Sequence, residues 1–286
     1  MSNNCNNDVW HTLYEKEFDI NKYLYHYTSF STGVKILIGN SLKFSALNKL
    51  NDTLESKPKM IFDNEENSSY EKLSKMLDET SELKLQLICF SQDNDKFKKS
   101  PKVQSDYLAS HSDYTGRGFA LPRMWAQYAQ NNSGICFIFD REKLAQKITD
   151  YLGSSLIHHT KVDYVSQYDT VLEDNREIQI LLENYSKASL SSKISKAKDF
   201  LKSNKNFTQY NYFSKFEDWA GEHEYRFLAI GDEEFLVSDI QDAISGIVVG
   251  ERMNDAEIEV FKRFSHGICE IARIKFTCKG FLLDTI

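Results

Sequence analysis

The chain has 286 residues, enough for one large domain or two small ones around a substantial core. Hydrophobic residues make up 41% and aromatic residues 13% of the chain, which is typical of a folded globular protein. With 35 Lys and Arg against 42 Asp and Glu, the net charge of −7 argues against a protein that binds nucleic acid through overall electrostatic attraction.

The first half of the chain alternates short strand patterns with short helix patterns. Apolar alternation predicts strands at 23–28, 42–46, 85–91 and 134–139. Helical spacing predicts helices at 31–39, 70–80, 124–129 and 142–152. Between the third strand and the third helix, residues 92–118 are rich in Asp, Asn, Lys and Ser, which predicts a loop insertion.

The second half opens with a helical pattern at 170–218, which we interpret as a helical insertion. Strands are predicted at 225–230, 244–250 and 272–278, with a helix at 255–264 between the last two. Strands and helices are mixed without a regular βαβ alternation, and no internal repeat is visible. The sequence therefore predicts an α+β fold in a single domain over 1–286.

The lysine-rich segment 187–205 contains six lysines and one acidic residue. Apolar residues are interleaved at helical spacing, which favours a solvated helix face. A contact with nucleic acid is the alternative that this segment leaves open.

Cysteine usage and hydropathy indicate the compartment. The five cysteines are scattered and form no C-x-x-C motif, which favours reduced thiols in an intracellular protein. No window approaches the roughly 18 apolar residues that a membrane span requires. The sequence therefore predicts a cytoplasmic protein without a membrane partner.

Two carboxylates and a guanidinium recur at every second position in the segment Glu222-His223-Glu224-Tyr225-Arg226. If this segment is extended, Glu222, Glu224 and Arg226 project from one side of a single strand. Such a group is costly to bury unless its charges pair with one another or bind a polar ligand. A structural ion pair and a functional site are both open interpretations of this spacing.

Two further pairs carry side chains suited to a ligand. On the first predicted strand, His26 and Thr28 share a face and could bind adjacent oxygens of a sugar, or could simply be buried and satisfied by backbone groups. On the predicted helix, Trp125 and Tyr128 form a joined aromatic face, which is typical of a core but also of a pocket edge that stacks on a planar ring.

Seven short blocks, taken in this order, resemble the bacterial domain-of-unknown-function family 2971, some of whose members resemble abortive-infection, anti-phage proteins. The resemblance runs from about residue 23 to about 250 and departs from the usual Asn-Asp-Pro-x-Glu pattern at Thr53. The blocks are Tyr25-His26-Tyr27-Thr28, Leu42 to Ser45, Leu50 to Glu55 with Asn51-Asp52, Cys89-Phe90-Ser91, Met124 to Ala129, Gly134 to Phe139, and Trp219 to Arg226.

The first block also resembles the first strand of the ADP-ribosyltransferase superfamily, which implies a split-sheet core and NAD as the substrate. In that resemblance, His26 binds the nicotinamide ribose with Thr28 assisting, and Tyr128 or Trp125 stacks on nicotinamide. Glu224 or Glu222 holds the ribose hydroxyl and stabilises the oxocarbenium-like transition state. The remaining NAD-binding positions that it implies are Tyr27, Asn51, Asp52 and Arg226, the last as a partner for a carboxylate or for pyrophosphate.

The resemblances together imply an NAD-consuming ADP-ribosyltransferase-like effector of bacterial anti-phage defence, or a toxin. It would hydrolyse NAD or transfer ADP-ribose to a macromolecular acceptor, a protein or a nucleic acid. One alternative is a metal-dependent nuclease-like effector with Glu222, Glu224 and Asp52 as metal ligands. Another is a non-enzymatic sensor or interaction module that binds a nucleotide or phage component through a Trp125/Tyr128 surface. An oligomer is compatible with each.

Overall fold

The computed structural model describes residues 19–52, 84–94, 116–167, 189–277 and 280–286. The predicted helix at 70–80 lies outside these ranges, as do Thr53 and Glu55. Most of the predicted loop insertion at 92–118 and the first part of the predicted helical insertion, 170–188, also lie outside them.

Nine strands of the described chain form one mixed sheet that is mainly antiparallel. They are β1 (Tyr23–Thr28), β3 (Ser45–Ala46), β4 (Lys84–Ser91), β5 (Ile135–Asp140), β6 (Leu156–Lys161), β9 (Glu224–Gly231), β11 (Ile244–Val249), β12 (Ile271–Thr277) and β13 (Gly280–Thr285). Their order is β13-β12-β11-β5-β1-β4-β9-β6, and β3 pairs with β4 beside this path. Strands β11 and β12 are parallel to each other.

In the described ranges, two further pairs of strands lie off the main sheet. Strand β2 (Ser41–Lys43) pairs antiparallel with β10 (Leu236–Ser238), and β7 (Asp163–Val165) pairs parallel with β8 (Ser214–Phe216). The prediction of a single strand at 42–46 is wrong, because β2 and β3 belong to different sheets. Phe44, between them, is buried, and its N–H donates 3.0 Å to the carbonyl of Phe235.

Six α-helices accompany the strands in the described ranges. They are α1 (Phe30–Gly39), α2 (Pro122–Gln127), α3 (Arg141–Leu152), α4 (Leu190–Ser203), α5 (Lys205–Tyr212) and α6 (Asp255–Ser265). Side-chain caps fix several of their starts: Asp140 accepts the Lys143 N–H of α3, and Asn254 and Glu257 form a reciprocal capping box on α6. The protein is thus a mixed α and β structure with one large sheet, as the α+β prediction required.

The second half of the predicted helical insertion is only partly helical. Helices α4 and α5 occupy 190–212, but β8 and a 3₁₀-helix at Glu217–Glu222 follow them. The prediction of helix up to residue 218 is therefore wrong at its C-terminal end. In the described ranges, the helices are all too short or too polar to cross a membrane.

Helices cover both faces of the sheet. One face carries a single apolar cluster in which Leu24, Phe137 and Phe227 pack beneath α1, α3 and α6. The opposite face carries two clusters: one packs Tyr25, Tyr27 and other side chains against α2, and the other packs the strand leucines of β4 and β9 against α4 and α5. The candidate site lies on this second face, between its two clusters.

Candidate active site at a gap in the sheet

Strands β1 and β4 are neighbours in the sheet, but a single residue pair, Tyr25 with Ser91, joins them. Further along the same edge of β4, Gln86 and Leu87 pair with β3. Residues 88–90 between these two contacts have no ladder partner on that edge in the described chain. The sheet therefore contains a gap bounded by β1, β3 and β4.

A cavity of about 150 Å³ lies at this gap. Its walls combine apolar side chains with a concentration of polar and charged ones. The lining residues that matter for its chemistry are His26, Cys89, Ser91, Tyr128, Lys215, Glu222 and Glu224, and Tyr27, Leu50, Leu87 and Met124 are among the others.

The imidazole of His26 takes part in closing the gap. Its Nδ1 lies 3.2 Å from the carbonyl oxygen of Cys89, on the stretch of β4 that has no strand partner on the edge facing β1, and its ring packs 5.5 Å from that of Phe90. Burial lowers the pKa of His26 from its ordinary value of 6.5, and the bond to Cys89 only partly opposes this. His26 is therefore a neutral imidazole at pH 7, and the prediction that it lies at a site is consistent with its place in the lining.

Glu222 and Glu224 both reach the cavity, but they do so from different elements. Glu222 ends the 3₁₀-helix at Glu217–Glu222, His223 adopts a left-handed conformation with φ 47°, and Glu224 begins β9. The prediction that Glu222, Glu224 and Arg226 share one side of one strand is therefore wrong for Glu222. Glu224 and Arg226 do share a side of β9, as predicted.

Lys215, on β8, brings the two carboxylates together. Its Nζ lies 2.7 Å from Glu222 Oε2 and 3.3 Å from Glu224 Oε2. Arg226 adds a second cation, with its Nη2 2.6 Å from Glu224 Oε2 and its Nη1 donating 3.0 Å to the carbonyl of Tyr212. All four side chains are buried, so each charge depends on its partners for compensation.

The same surroundings push the pKa values of the two glutamates apart. Burial, followed by repulsion from Glu224, raises the pKa of Glu222 above its ordinary value of 4.5. Burial would also raise the pKa of Glu224, but Arg226 and Lys215 outweigh it and hold that pKa at about 2. Adjacent carboxylates with opposite shifts are typical of sites in which one group stays charged and the other exchanges a proton.

Tyr128 lies at the cavity, whereas Trp125 lies in the core. Tyr128 lines the cavity, and its hydroxyl donates 2.8 Å to Glu222 Oε1. Trp125 is completely buried: its ring meets that of Tyr27 edge-on at 5.3 Å, and its Nε1 donates 2.7 Å to the carbonyl of Phe119. The prediction of a joined Trp125/Tyr128 aromatic surface is therefore wrong, and so is a stacking role for Trp125 at the pocket.

The other predicted site residues divide between the lining and the core. Tyr27 and Asn51 line the cavity, whereas Thr28, Asp52 and Arg226 are buried and are not part of the lining. The prediction that Thr28 assists His26 in contacting a sugar does not fit this placement. Arg226 contacts Glu224 and so acts on the site through that carboxylate.

Ser91 has an unsatisfied polar group at the cavity. Its side chain is 1% exposed, and its Oγ has no hydrogen-bond partner in the part of the chain that the structure describes. Tyr25, Ser91 and Glu224 lie directly opposite one another on β1, β4 and β9, so their side chains leave the sheet on the same face. A buried hydroxyl without a partner, beside a cavity, is the feature that a bound polar group would satisfy.

A second buried ion pair lies beside the site. Arg117 Nη1 lies 3.0 Å from Asp93 Oδ2, and the N–H of Gly118 donates 2.7 Å to Asp93 Oδ1. The next residue, Asn94, lies 3.0 Å from Nε2 of His223, the left-handed residue between the two glutamates. This ion pair thus belongs to the support of the turn that positions Glu222 and Glu224.

The metal-ligand interpretation finds no support in the described ranges, where no three His, Cys, Asp or Glu side chains are grouped in a way that could hold a metal ion. Glu222 and Glu224 instead face the ammonium group of Lys215. Asp52, the third predicted ligand, is buried outside the cavity lining.

Three site residues were assigned no role from the sequence: Lys215, Cys89 and Ser91. Cys89 and Ser91 do lie in one of the blocks that carry the family resemblance, so that block was the available signal. The thiol of Cys89 hydrogen-bonds the Glu224 carboxylate and helps to lower its pKa. Lys215 had no such signal, because it lies outside the seven blocks, in the stretch 170–218 that the sequence predicts to be helical.

Comparison with known proteins supports the resemblance over part of the chain. Residues 124–227 match a family described as "Protein of unknown function (DUF2971)". This region includes Tyr128, Lys215, Glu222 and Glu224, whereas His26 and Ser91 lie outside it. Neither the curated proteins nor the solved structures contain a significant match to the chain.

Proposed function

We propose that this protein is an NAD-consuming enzyme of the ADP-ribosyltransferase type. It breaks the bond between nicotinamide and ribose and passes ADP-ribose to water or to a macromolecular acceptor. The observation that carries the proposal is the pair Glu222 and Glu224, held at a cavity that also contains His26. The gap between β1 and β4 supports the split-sheet core that this proposal entails.

Glu224 supplies the electrostatic part of the chemistry. As the bond from the ribose C1′ to the pyridinium nitrogen breaks, its electron pair leaves with nicotinamide and positive charge develops on the ribose. A carboxylate with a pKa of about 2 is ionised at neutral pH and stabilises that charge without a metal ion. Preorganised charges of this kind contribute several kcal/mol, on the order of 3 kcal/mol for one group.

Glu222 supplies the proton acceptor. The incoming nucleophile, water or an acceptor hydroxyl, bonds to C1′ through oxygen and gives its proton to Glu222. The raised pKa of Glu222 makes it a stronger base than an ordinary carboxylate. Tyr128, bonded to the other carboxylate oxygen, orients it for this transfer.

The size of the cavity restricts what enters it. Small-molecule sites usually enclose about 300–1,000 Å³, whereas this cavity of about 150 Å³ is the size that accepts a single aromatic ring. We therefore assign the cavity to the nicotinamide end of NAD and place the rest of the dinucleotide outside it. The aromatic side chains of Tyr27 and Tyr128 provide ring surfaces in the lining.

The biological setting of the proposal is bacterial anti-phage defence or toxicity, with an unidentified protein or nucleic acid as acceptor. Its support is the resemblance to family 2971 together with the match over 124–227. The description of that family names no function, and the defence setting comes from the resemblance of some of its members to abortive-infection, anti-phage proteins.

The test is nicotinamide release from NAD by the purified full-length chain, with and without cell extract. We expect release by the wild type, and a loss of at least 100-fold in Glu222→Gln and Glu224→Gln. Glu217→Gln is the matched control, because Glu217 lies in the same 3₁₀-helix but is exposed. Circular dichroism confirms that each variant is folded. If wild-type protein yields neither nicotinamide nor ADP-ribosylated product in any condition, the proposal is wrong.

One observation favours a second candidate, a non-enzymatic module that binds a ring-sized polar ligand in the cavity. The four charged side chains of the site compensate one another, as expected of a binding pocket whose charges hold a ligand without reacting with it. They are Glu222, Glu224, Lys215 and Arg226. Equilibrium dialysis with labelled NAD distinguishes the two candidates. Binding without turnover, abolished by Ser91→Tyr, supports the module.

A further inference from the structure

The ammonium group of Lys215 is the centre of the charged network at the cavity. Its side chain is 3% exposed, and its Nζ contacts Oε2 of both Glu222 and Glu224. The same atom lies 4.5 Å from the ring centre of Trp219, so an aromatic face also contacts the ammonium group. These contacts fix the charge in one place.

The backbone at Lys215 is fixed as well. Lys215 lies on β8, directly opposite Tyr164 of β7 in the parallel pair. Tyr164 in turn accepts the N–H of Glu224 at 2.9 Å through its hydroxyl oxygen. The strand that carries the lysine is therefore tied to the strand that carries one of its two partners.

We propose that Lys215 is the positioning residue of this site, whose single ammonium group holds Glu222 and Glu224 together at the cavity and keeps the Glu222 carboxylate in place as the proton acceptor. For its catalytic meaning, this inference rests on the function proposed above. The two carboxylates are not equivalent in their dependence on the lysine. Glu224 also has Arg226, whereas Glu222 has the neutral hydroxyl of Tyr128.

Without Lys215, the two carboxylates would lose the cation that bridges them, since the contact with Arg226 is made by Glu224. Glu222 ends a 3₁₀-helix and precedes a left-handed residue, so no strand pairing keeps it facing the cavity. Repulsion from Glu224 would then either turn Glu222 away or keep it protonated. Each outcome removes the proton acceptor that the proposed reaction requires.

The pH dependence follows from the groups that surround Glu222. The titratable and charged side chains that face the network are His26, Cys89, Tyr128, Tyr164, Lys215, Glu224 and Arg226. Burial and Glu224 raise the pKa of Glu222, and Lys215, by charge and by hydrogen bond, lowers it. Removing the lysine therefore moves the titration of Glu222 to higher pH.

The experiment compares Lys215→Met and Lys215→Arg with the wild type in the full-length chain. Carbon-13 NMR of protein labelled at glutamate carboxyls follows the titration, and Glu222→Gln identifies the signal of Glu222. We expect Lys215→Met to raise the titration midpoint of Glu222 by at least one pH unit. Lys215→Arg keeps a cation at this position, so its midpoint should stay close to that of the wild type. Lys262→Met, at a half-buried lysine of α6 that pairs with Glu259, is the control and should leave the midpoint unchanged.

The same variants are assayed for nicotinamide release as a function of pH. We expect the acidic limb of the rate profile to move upward with the NMR midpoint in Lys215→Met. If the wild type releases no nicotinamide, the proposed function fails, while the NMR titration still decides the role of Lys215. If Lys215→Met does not fold, Lys215→Gln replaces it with the same expected upward shift. An unchanged Glu222 midpoint in folded Lys215→Met or folded Lys215→Gln would overturn the inference.

Discussion

The hydroxyl of Tyr128 donates a 2.8 Å hydrogen bond to Oε1 of Glu222, which lies 94 positions further along the chain. Tyr128 directly follows α2, and Glu222 ends the 3₁₀-helix before β9. The bond therefore connects the helix that packs on β1 with the turn that begins β9, and both residues line the cavity. It also gives a hydrogen-bond donor to Oε1 of Glu222, whereas Lys215 contacts Oε2.

Replacing Tyr128 by Phe tests this bond while it keeps the ring. The bond lowers the pKa of Glu222, so its loss should raise that pKa and move the acidic limb of nicotinamide release to higher pH. Stability should fall by about 1–3 kcal/mol, because a buried carboxylate oxygen loses its partner. Urea unfolding measures the loss, and Tyr151→Phe, at an exposed tyrosine, serves as control. Equal stability of Tyr128→Phe and wild type would show that the hydroxyl contributes nothing.

Glu224 should contribute to stability in a defined pH window. Its pKa is about 2 in the folded protein, below the ordinary value of 4.5, so its ionised form stabilises the fold. That stabilisation is complete above pH 4.5 and is lost as the pH falls towards 2. As the pH is lowered from 4.5 towards 2, the urea concentration at the midpoint of unfolding should decrease more steeply for the wild type than for Glu224→Gln. Parallel pH profiles of the two proteins would contradict this assignment.

The Asp93 and Arg117 pair should behave as one energetic unit. Both side chains are almost completely buried, so Arg117→Met leaves the Asp93 carboxylate without its cation and should cost about 3–5 kcal/mol. Burial already raises the pKa of Asp93 even with Arg117 present. The double variant Asp93→Asn/Arg117→Met should therefore be more stable than the sum of the single losses predicts. Additive losses in urea unfolding would show that the two residues are not coupled.

Gly134 precedes β5 at a place where no side chain fits. A Cβ atom there would lie 2.3 Å from the carbonyl oxygen of Thr28 and 2.7 Å from the carbonyl carbon of Ala129, both backbone atoms that cannot move aside cheaply. Gly134→Ala should lower the melting temperature by many degrees. At Gly221 the nearest atom is 3.9 Å away, on the side chain of Arg123, so Gly221→Ala should change stability by less than about 0.5 kcal/mol. Similar melting temperatures for the two variants would contradict the close approach at Gly134.

The strongly periodic elements could be predicted from the sequence. The strand at 23–28, the helix at 142–152 and the strand at 225–230 appear within one residue or so of their predicted bounds. Local pattern failed where tertiary contacts decide, as at 42–46, where Phe44 is buried between two strands of different sheets. Local pattern failed again at Glu222, because the chain turns there through a left-handed conformation at His223. A glycine at this position would have indicated such a turn, whereas a histidine does not.

The site could be predicted only in part. Glu224, Glu222, His26 and Tyr128 line one cavity, although 94 or more residues separate the first two from Tyr128 and His26. Helical spacing alone could not tell that Trp125 enters the core while Tyr128 reaches the cavity. Lys215 depends on the pairing of β7 with β8, a long-range contact whose two short strands leave no periodic signal.

The gap leaves strands β1 and β4 with few hydrogen bonds between them. Strands β1 and β4 meet through one residue pair, and the bond between His26 and Cys89 spans the next position. Separating them further would break these few bonds and disrupt the apolar cluster in which Phe90 packs 6.0 Å from Phe139, while the complete ladders of β1 with β5 and of β4 with β9 stay intact. The two halves of the sheet are thus held together along this line mainly by side-chain packing, and a larger ligand would enter only at the cost of that packing.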